Sequence, residues 1–191
     1  MGLLATLVEK VSDNPVLFIF FRSILENDFK AIRAQILAVD VRAAVELTRA
    51  CLPGMLERGS GAVINVASMS AFQAVPFLAS YAASKAFLLS FSESLAFELQ
   101  GSGVRVQALC PGLVQTEFQR SAGTDRVAFD RTRPQTPEFV AEASLRGLEA
   151  GRLLVIPGWR DRATVGLQRL LPRALVRRAA AELFRPRPDH S

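Results

Sequence analysis

A helix, a glycine turn and a buried strand follow one another twice in this chain, and that order constrains the fold more than any other feature of the sequence. Residues 28–56 carry apolar side chains at three- and four-residue steps, which predicts a long amphipathic helix. After the glycine turn 58–61, the short run 62–67 is mostly apolar and rich in β-branched residues, so it is predicted to be a buried strand. A second helix over 80–99 and a second strand over 104–110 repeat the pattern across another glycine turn.

A third unit of the same kind follows further along the chain. Its helix is predicted over 137–150, with its first residue at position 137 or 138, Thr136 as the N-cap and Gly151 as the stop. Its strand is predicted over 153–156. Strands that alternate with helices of this length indicate right-handed crossovers and a parallel sheet covered by helices on both faces. We therefore predict an α/β fold, and the length of 191 residues favours a single domain over 1–191.

Composition limits the possible functions. Half of the residues are hydrophobic and 21% are charged, which excludes a disordered chain. The one histidine, His190, stands next to the last residue, so we expect neither an imidazole base nor a metal site in the folded body. The two cysteines, Cys51 and Cys110, have neither metal-binding spacing nor the density of a disulfide scaffold, which favours a reducing compartment.

The apolar runs predict a cytoplasmic protein. None reaches the ~18–20 residues that a membrane-spanning helix needs, and the early run 15–21 (PVLFIFF) stops at Arg22. Asp13 and Asn14, directly before that run, do not suit the apolar core of a signal peptide.

A tyrosine and a lysine stand four residues apart on the second predicted helix. Tyr81 is the only tyrosine of the chain and Lys85 is one of three lysines, and this spacing puts both side chains on one face. A phenol ordinarily loses its proton near pH ~10, but a neighbouring ammonium favours the phenolate form. The pair is therefore a candidate for proton transfer, while the same spacing also suits a surface pair that covers the helix.

Polar groups also follow the first two predicted strands, at the edge of the sheet where ligands bind in open α/β folds. Ser68 ends the first strand, thirteen residues before the tyrosine. Pro111 and Gly112 end the second strand, and Thr116 adds a hydroxyl four residues later. The irregular segment 113–136, which begins at this edge, is predicted to be a mobile binding loop.

Two stretches together resemble the catalytic half of the short-chain dehydrogenase/reductase family: INVASMSAFQAVPFLASYAASKAF at 64–87 and GVRVQALCPGLVQTEF at 103–118. The resemblance covers residues 28–158 and rests on a serine, a Tyr-x-x-x-Lys thirteen residues later and a Pro-Gly-x-x-x-Thr after the next strand. It implies a parallel sheet with flanking helices in a partial Rossmann-like, doubly wound fold. It also implies hydride transfer between NAD or NADP and a small-molecule substrate that is a carbonyl or a secondary alcohol.

The resemblance implies a role for each matching residue. Tyr81 is expected to be the general acid and base, Lys85 to favour its phenolate and hold the nicotinamide ribose, and Ser68 to orient the substrate oxygen. Besides Tyr81 and Lys85, the implied cofactor-binding residues are Pro111, Gly112, Val114 and Thr116, which are expected to lie against the nicotinamide.

Two departures from the family's pattern matter. The family usually carries an asparagine of the proton relay in the long helix before the catalytic strand, and Asp40 stands at the matching position as a further catalytic candidate. Residues 1–27 match nothing in the family's nucleotide-binding half, which the resemblance implies is largely absent here. We therefore predict that the chain alone binds the dinucleotide weakly or not at all. The alternative to an active oxidoreductase is a truncated, non-catalytic family remnant that acts only as an oligomerising or interaction subunit.

The remaining predictions concern partners. The helix 28–56 and the Tyr81 helix resemble the pair that forms a four-helix dimer interface in the family, so we expect a homodimer or a larger oligomer. The tail 159–191 is arginine-rich and amphipathic. It suits either a helix packed on the body, with Pro172 as its first residue, or peripheral contact with an anionic membrane surface. No nucleic-acid partner is expected, because the tail has only two aromatic residues and shows no recognition motif.

Overall fold

The computed structural model describes residues 16–19, 37–115 and 134–185. The strands of these ranges are β1 Val16–Ile19, β2 Gly61–Val66, β3 Val104–Leu109 and β4 Leu154–Val155. Their α-helices are α1 Ala43–Glu57, α2 Ala79–Glu98, α3 Pro137–Glu149, α4 Trp159–Leu170 and α5 Arg173–Phe184. A π-helical turn, Leu37–Arg42, leads into α1, and a 3-10 turn, Met69–Phe72, lies between β2 and α2.

The four strands are parallel and form one sheet in the order β1-β2-β3-β4. β2 and β3 pair along their whole length, from Gly61 opposite Val104 to Val66 opposite Leu109. β1 lies on the other side of β2, and β4 pairs with the far side of β3. The prediction of an α/β fold with a parallel sheet and flanking helices is therefore confirmed.

Strand residues alternate between two apolar clusters, one on each face of the sheet. Val63, Val106 and Cys110 belong to the cluster that also contains buried residues of α1 and α2. Ile64 and Leu109 belong to the cluster that contains buried residues of α3. The period of two along each strand thus sends alternate side chains to opposite helical layers, which explains the mostly apolar strand sequences.

The connection through α3 has the opposite hand to the two before it. Because the strands are parallel and follow chain order across the sheet, two crossovers have the same hand only when their helices lie on the same face. α1 and α2 share one face, whereas α3 lies on the other. The prediction of right-handed crossovers throughout is therefore wrong. One anchor of α3 on its face is buried Gln107 of β3, whose Oε1 accepts a hydrogen bond from Ser144 Oγ at 2.6 Å.

Several predicted boundaries agree with the structure to within one residue, namely those of β2, β3, α2 and α3. The third strand is shorter than predicted, because only Leu154 and Val155 of the predicted range 153–156 are in strand conformation. Pro157 follows closely and has no N–H to extend a ladder. In the first predicted helix, residues 28–36 lie outside the described residues, and the helix continues through Pro53 to Glu57.

One strand and one α-helix of the structure were not predicted by the sequence analysis. β1 lies within the segment 1–27 that matched nothing, and it covers the side of β2 that faces away from β3. α4 precedes the predicted tail helix, which itself begins at Arg173 rather than at Pro172, because Pro172 is its N-cap. Across the described ranges, no helix combines the length and the apolar character needed to cross a membrane.

The two glycine turns pack against each other at the end of the sheet where β2 and β3 begin. Gly103 has a φ of 78°, and a Cβ added there would overlap the carbonyl oxygen of Gly59. Both turns lead from a helix into a strand, as the sequence analysis predicted.

Candidate active site

β2 and β3 leave the sheet side by side, and their backbones stay paired beyond the last strand residues. The N–H of Ala67 donates to the carbonyl oxygen of Leu109 at 2.8 Å, and the N–H of Met69 donates to that of Pro111 at 3.0 Å. Ser68 lies between these two bonds, so its position at the carboxyl edge of the sheet is fixed by backbone contacts on both sides.

Ser68 is half-buried and caps the 3-10 turn that follows β2. Its backbone is extended, with φ −165° and ψ 162°, and its Oγ accepts a hydrogen bond from the N–H of Ser70 at 3.1 Å. Because the hydroxyl accepts this bond, its own proton remains available for another acceptor. Ser70 thus contributes a backbone donor that orients Ser68.

Tyr81 and Lys85 lie on successive turns of α2, close to its first residue, Ala79. Lys85 Nζ is 5.6 Å from the centroid of the Tyr81 ring, so the proximity expected from the four-residue spacing is present. Tyr81 is half-buried, whereas Lys85 is only 2% exposed. The structure therefore places a buried positive charge next to a half-buried tyrosine.

The carboxylate of Asp40 forms a buried ion pair with Lys85. Asp40 Oδ2 is 3.4 Å from Lys85 Nζ, and neither side chain reaches solvent appreciably. Lys85 Nζ also donates to the carbonyl oxygen of Val66 at 3.3 Å. An ion pair removed from water needs such additional hydrogen bonds, because attraction between the charges alone rarely offsets their desolvation. Asp40 lies in the π-helical turn before α1, a type of turn that is frequent at functional sites.

Ser84 belongs to the same cluster, and the sequence analysis missed it. Its Oγ lies 2.9 Å from Asp40 Oδ2 and 2.9 Å from the carbonyl oxygen of Tyr81, two acceptors for one proton. The side chain is fully buried. A small polar residue beside the lysine, on the helix face that packs on the sheet, is the signal that could have identified it. The cluster of Asp40, Ser84 and Lys85 is called the charged cluster below.

The turn after β3 contains most of the residues expected to lie against a nicotinamide. Pro111 is buried, and Gly112 touches the carboxylate of Asp161, which occupies the space that a Cβ would need. Val114 forms an isolated bridge with Gln135. Thr116 lies outside the described residues, as do 116–133 of the segment predicted to be a mobile binding loop.

Cys110 lies between β3 and this turn, and its surroundings make it chemically inert. Its side chain is inaccessible to solvent, and burial raises the pKa of its thiol to about 12. A hydrogen bond from the backbone of Ser68 opposes that shift only in part. Because the thiolate is the reactive form, Cys110 is unsuited to nucleophilic chemistry. Both Cys110 and Cys51 are free thiols.

The chain has recognisable relatives. A family model described as short chain dehydrogenase matches residues 20–127, more than half of the chain. Ketoacyl reductase HetN of Nostoc is 38% identical over 107 residues, which are 56% of this chain and 37% of that protein. Dehydrogenase/reductase SDR family member 4 of Bos taurus is 38% identical over 113 residues, which are 59% of this chain and 40% of that protein. A short chain dehydrogenase of Burkholderia cenocepacia, solved in complex with NADP, is 26% identical with a TM-score of 0.67, covering 94% of this chain and 75% of that one.

The parallel sheet, its flanking helices and the similar solved structure define a protein of the Rossmann-like class. Within that class, the chain belongs to the short-chain dehydrogenase/reductase family. It spans about two fifths of the length of the curated relatives it matches.

The described residues fit one end of a nicotinamide dinucleotide. The phenol of Tyr81 and the ammonium of Lys85 are hydrogen-bonding groups suited to ribose hydroxyls, and they lie at the edge where such cofactors bind. The pyrophosphate in this fold class lies on a glycine-rich turn that follows a strand and opens a helix. The two turns of the described ranges that contain more than one glycine, 58–61 and 101–103, precede strands instead, and the turn that follows β4 and opens α4 has the single glycine Gly158. The described residues therefore suit the nicotinamide ribose and include no glycine-rich turn of the kind that binds a pyrophosphate.

Proposed function

We propose that this chain carries the catalytic half of an NAD- or NADP-dependent oxidoreductase that acts on a small carbonyl compound or secondary alcohol. The observation that carries the proposal is the Tyr81–Lys85 pair on one face of α2, at the same sheet edge as Ser68. The name of the Nostoc relative, a ketoacyl reductase, supports a carbonyl substrate for this family member as well.

The cofactor, Ser68 and Tyr81 have separate roles in the proposed reaction. The cofactor, when bound, supplies the hydride for reduction of a carbonyl or accepts it from an alcohol. The Ser68 hydroxyl donates a hydrogen bond to the substrate oxygen, which polarises the carbonyl group. The Tyr81 phenol gives its proton to that oxygen as negative charge develops there, and Tyr81 takes the proton back in the reverse direction.

The positive charge of Lys85 stabilises the phenolate that Tyr81 becomes after it has given up its proton. Lys85 Nζ is held close to the ring by the Val66 carbonyl oxygen and by the carboxylate of Asp40. Asp40 thus takes part by positioning Lys85, and a water-mediated relay through Asp40 is not needed for this role. Pro111, Gly112 and Val114 are proposed to lie against the nicotinamide, together with Thr116.

A cofactor titration with a matched turnover assay tests the proposal. We expect the purified chain to bind NADH or NADPH with a dissociation constant near the millimolar range, because the described residues fit only the nicotinamide end. Each lost charge-assisted hydrogen bond to the pyrophosphate weakens binding by roughly 1.5–3 kcal/mol, and two such losses move a micromolar site toward that range. At saturating NADH or NADPH, the chain should catalyse measurable oxidation of the cofactor by ketones from a test panel.

The second candidate is a non-catalytic family remnant that works only through association. Its support is the pair of glycine turns 58–61 and 101–103, which precede strands and so form no pyrophosphate site among the described residues. A folded protein that binds neither cofactor at several millimolar, and turns over no ketone, favours this candidate. A dissociation constant below ~10 µM points instead to residues 1–27 or a partner subunit that completes the nucleotide site.

Three further properties belong to the proposal. We propose a homodimer or larger oligomer, which light scattering at micromolar concentration checks directly. A cytoplasmic location stays a prediction from the sequence. So does contact of the arginine-rich tail with anionic lipid, which binding to vesicles with and without anionic headgroups distinguishes.

A further inference from the structure

The turn after β3 is attached to a second segment of the chain through the backbone of Gln135. The N–H of Gln135 donates to the carbonyl oxygen of Leu113 at 2.7 Å, and the N–H of Gln115 donates to the carbonyl oxygen of Gln135 at 2.8 Å. These bonds join the turn to the residues that open α3, and they leave the side chain of Gln135 to make contacts of its own.

That side chain reaches a third segment. Gln135 Nε2 donates to the carbonyl oxygen of Pro157 at 2.8 Å and to Asp161 Oδ2 at 2.7 Å. Both amide protons are therefore used. Asp161 lies in the first turn of α4, and its carboxylate rests directly against Gly112.

Gly112 and Gly158 lie close to Asp161 and Gln135, where a Cβ would clash with these side chains. At Gly112, an added Cβ would overlap the Asp161 carboxylate. At Gly158, where φ is 83°, an added Cβ would lie 2.9 Å from Gln135 Nε2. Glycine is the residue that best accommodates both this conformation and this close approach. The contact between Gln135 and Asp161 is thus supported by the backbone on either side of it.

The Asp161 carboxylate is partly removed from water, so the hydrogen bond that it accepts from Gln135 stabilises it. Burial raises the pKa of Asp161, and the hydrogen bond from Gln135 opposes that rise. A half-buried carboxylate is stabilised when it accepts such a bond, so Gln135 and Asp161 hold each other in place.

α4 also touches the other side of the candidate active site. The guanidinium of Arg169 is 5.7 Å from the centroid of the Phe72 ring, and Phe72 belongs to the 3-10 turn that Ser68 caps. The same helix therefore contacts the turn that follows β2 and, through Asp161, the turn that follows β3.

We infer that Gln135 and Asp161 are positioning residues for the turn 111–114, so that α4 is part of the oxidoreductase site rather than a separable tail. The functional half of this inference rests on the proposed function, in which the turn lies against the nicotinamide. Its structural half, that the pair holds the turn, is independent of any cofactor.

The test compares three variants of the full chain with the wild type. Asp161→Leu removes the acceptor, Asp161→Asn keeps an acceptor oxygen in nearly the same shape, and Gln135→Met removes both donors while keeping the length of the side chain. Glu149→Leu, which deletes an exposed carboxylate on α3, is the control. Circular dichroism establishes that each variant is folded, and Gln135→Met answers the question if Asp161→Leu does not fold.

Two measurements are made on each protein. Amide hydrogen exchange reports the bond from Gln115 N–H to Gln135, and NADPH titration reports the cofactor side of the turn. We expect Asp161→Leu and Gln135→Met to exchange the Gln115 amide about tenfold faster and to weaken NADPH binding about tenfold, or about 1.4 kcal/mol. Asp161→Asn should restore both values to within about threefold of the wild type, and Glu149→Leu should change neither.

The hydrogen-exchange measurement tests the structural half of the inference, and the NADPH titration tests the functional half. Unchanged Gln115 exchange in both Asp161→Leu and Gln135→Met overturns the positioning role. Faster exchange with an unchanged NADPH dissociation constant overturns the link to the cofactor side. If the wild type itself binds no NADPH, the proposed function and the link fail together, while the exchange measurement still decides whether the pair holds the turn.

Discussion

Two buried polar clusters lie on opposite faces of the sheet, and they differ in charge. The charged cluster lies at the carboxyl edge, on the face covered by α1 and α2, and pairs Lys85 with Asp40. The neutral cluster joins Gln107 of β3 to α3. Gln107 Nε2 donates to the carbonyl oxygen of Ser144 at 3.1 Å, and Ser144 Oγ donates back to Gln107 Oε1.

The comparison distinguishes a buried polar cluster that serves the reaction, the charged one, from a buried polar cluster that stabilises the fold, the neutral one. A neutral amide and hydroxyl that satisfy each other make a favourable, directional contact without buried charge. A buried ion pair gains little over apolar residues of the same volume, because both ions lose their hydration. The charged cluster is therefore better explained by the phenol next to it than by the stability of the fold.

The largest expected effect is on Tyr81. Tyr81→Phe removes the proton donor while leaving the charged cluster in place, so turnover should fall by ~10²–10⁴ with an unchanged melting temperature. Initial rates of ketone-dependent cofactor oxidation measure the loss. Ser90→Ala, at an exposed position on the same helix, serves as the control. Retention of more than about a tenth of the wild-type rate contradicts the role of Tyr81.

A large effect on stability is expected at Lys85. Lys85→Met removes the ammonium that Asp40 faces, and breaking a buried pair in this way costs about 3–5 kcal/mol. Adding Asp40→Asn should recover part of that loss, because the second charge is then removed as well. Urea unfolding of both variants measures the two changes. Equal stability of the single variant and the wild type is the result that rejects a coupled pair.

A smaller and purely structural effect is expected in the neutral cluster. Gln107→Leu leaves the hydroxyl of Ser144 without its acceptor, which should lower the free energy of unfolding by about 1–3 kcal/mol. Gln107→Leu combined with Ser144→Ala should be less damaging than the single change. Turnover per folded molecule should stay within about twofold of the wild type, and a loss of the size expected for Tyr81→Phe would remove the distinction between the clusters.

The smallest effect concerns the thiols. Burial raises the pKa of Cys110 to about 12, so its thiol is protonated across the neutral range and is also shielded from reagents. Alkylation at about pH 8 should modify half-buried Cys51 first and reach Cys110 only on unfolding. The raised pKa adds stability that is complete below the ordinary thiol pKa and is lost as the pH rises toward 12. Peptide mass spectrometry at several times identifies the modified thiol.

The sequence by itself determined the features that depend on near neighbours. The period of apolar residues gave α2, β2, β3 and α3 to within a residue at each boundary. The four-residue spacing of Tyr81 and Lys85 put them on one face, because a helix turns every 3.6 residues whatever packs against it. The family motif could be read for the same reason, since it joins short local patterns.

Only the tertiary structure decided which distant residues meet. Lys85 and Asp40 lie in different elements, and no local pattern states that the π-helical turn brings the carboxylate to the lysine. The contact of Asp161 with Gly112 likewise joins α4 to the turn after β3. The strand β1 and the face chosen by α3 were missed as well. Such choices depend on the summed burial and hydrogen bonding of whole layers, which adjoining residues do not encode.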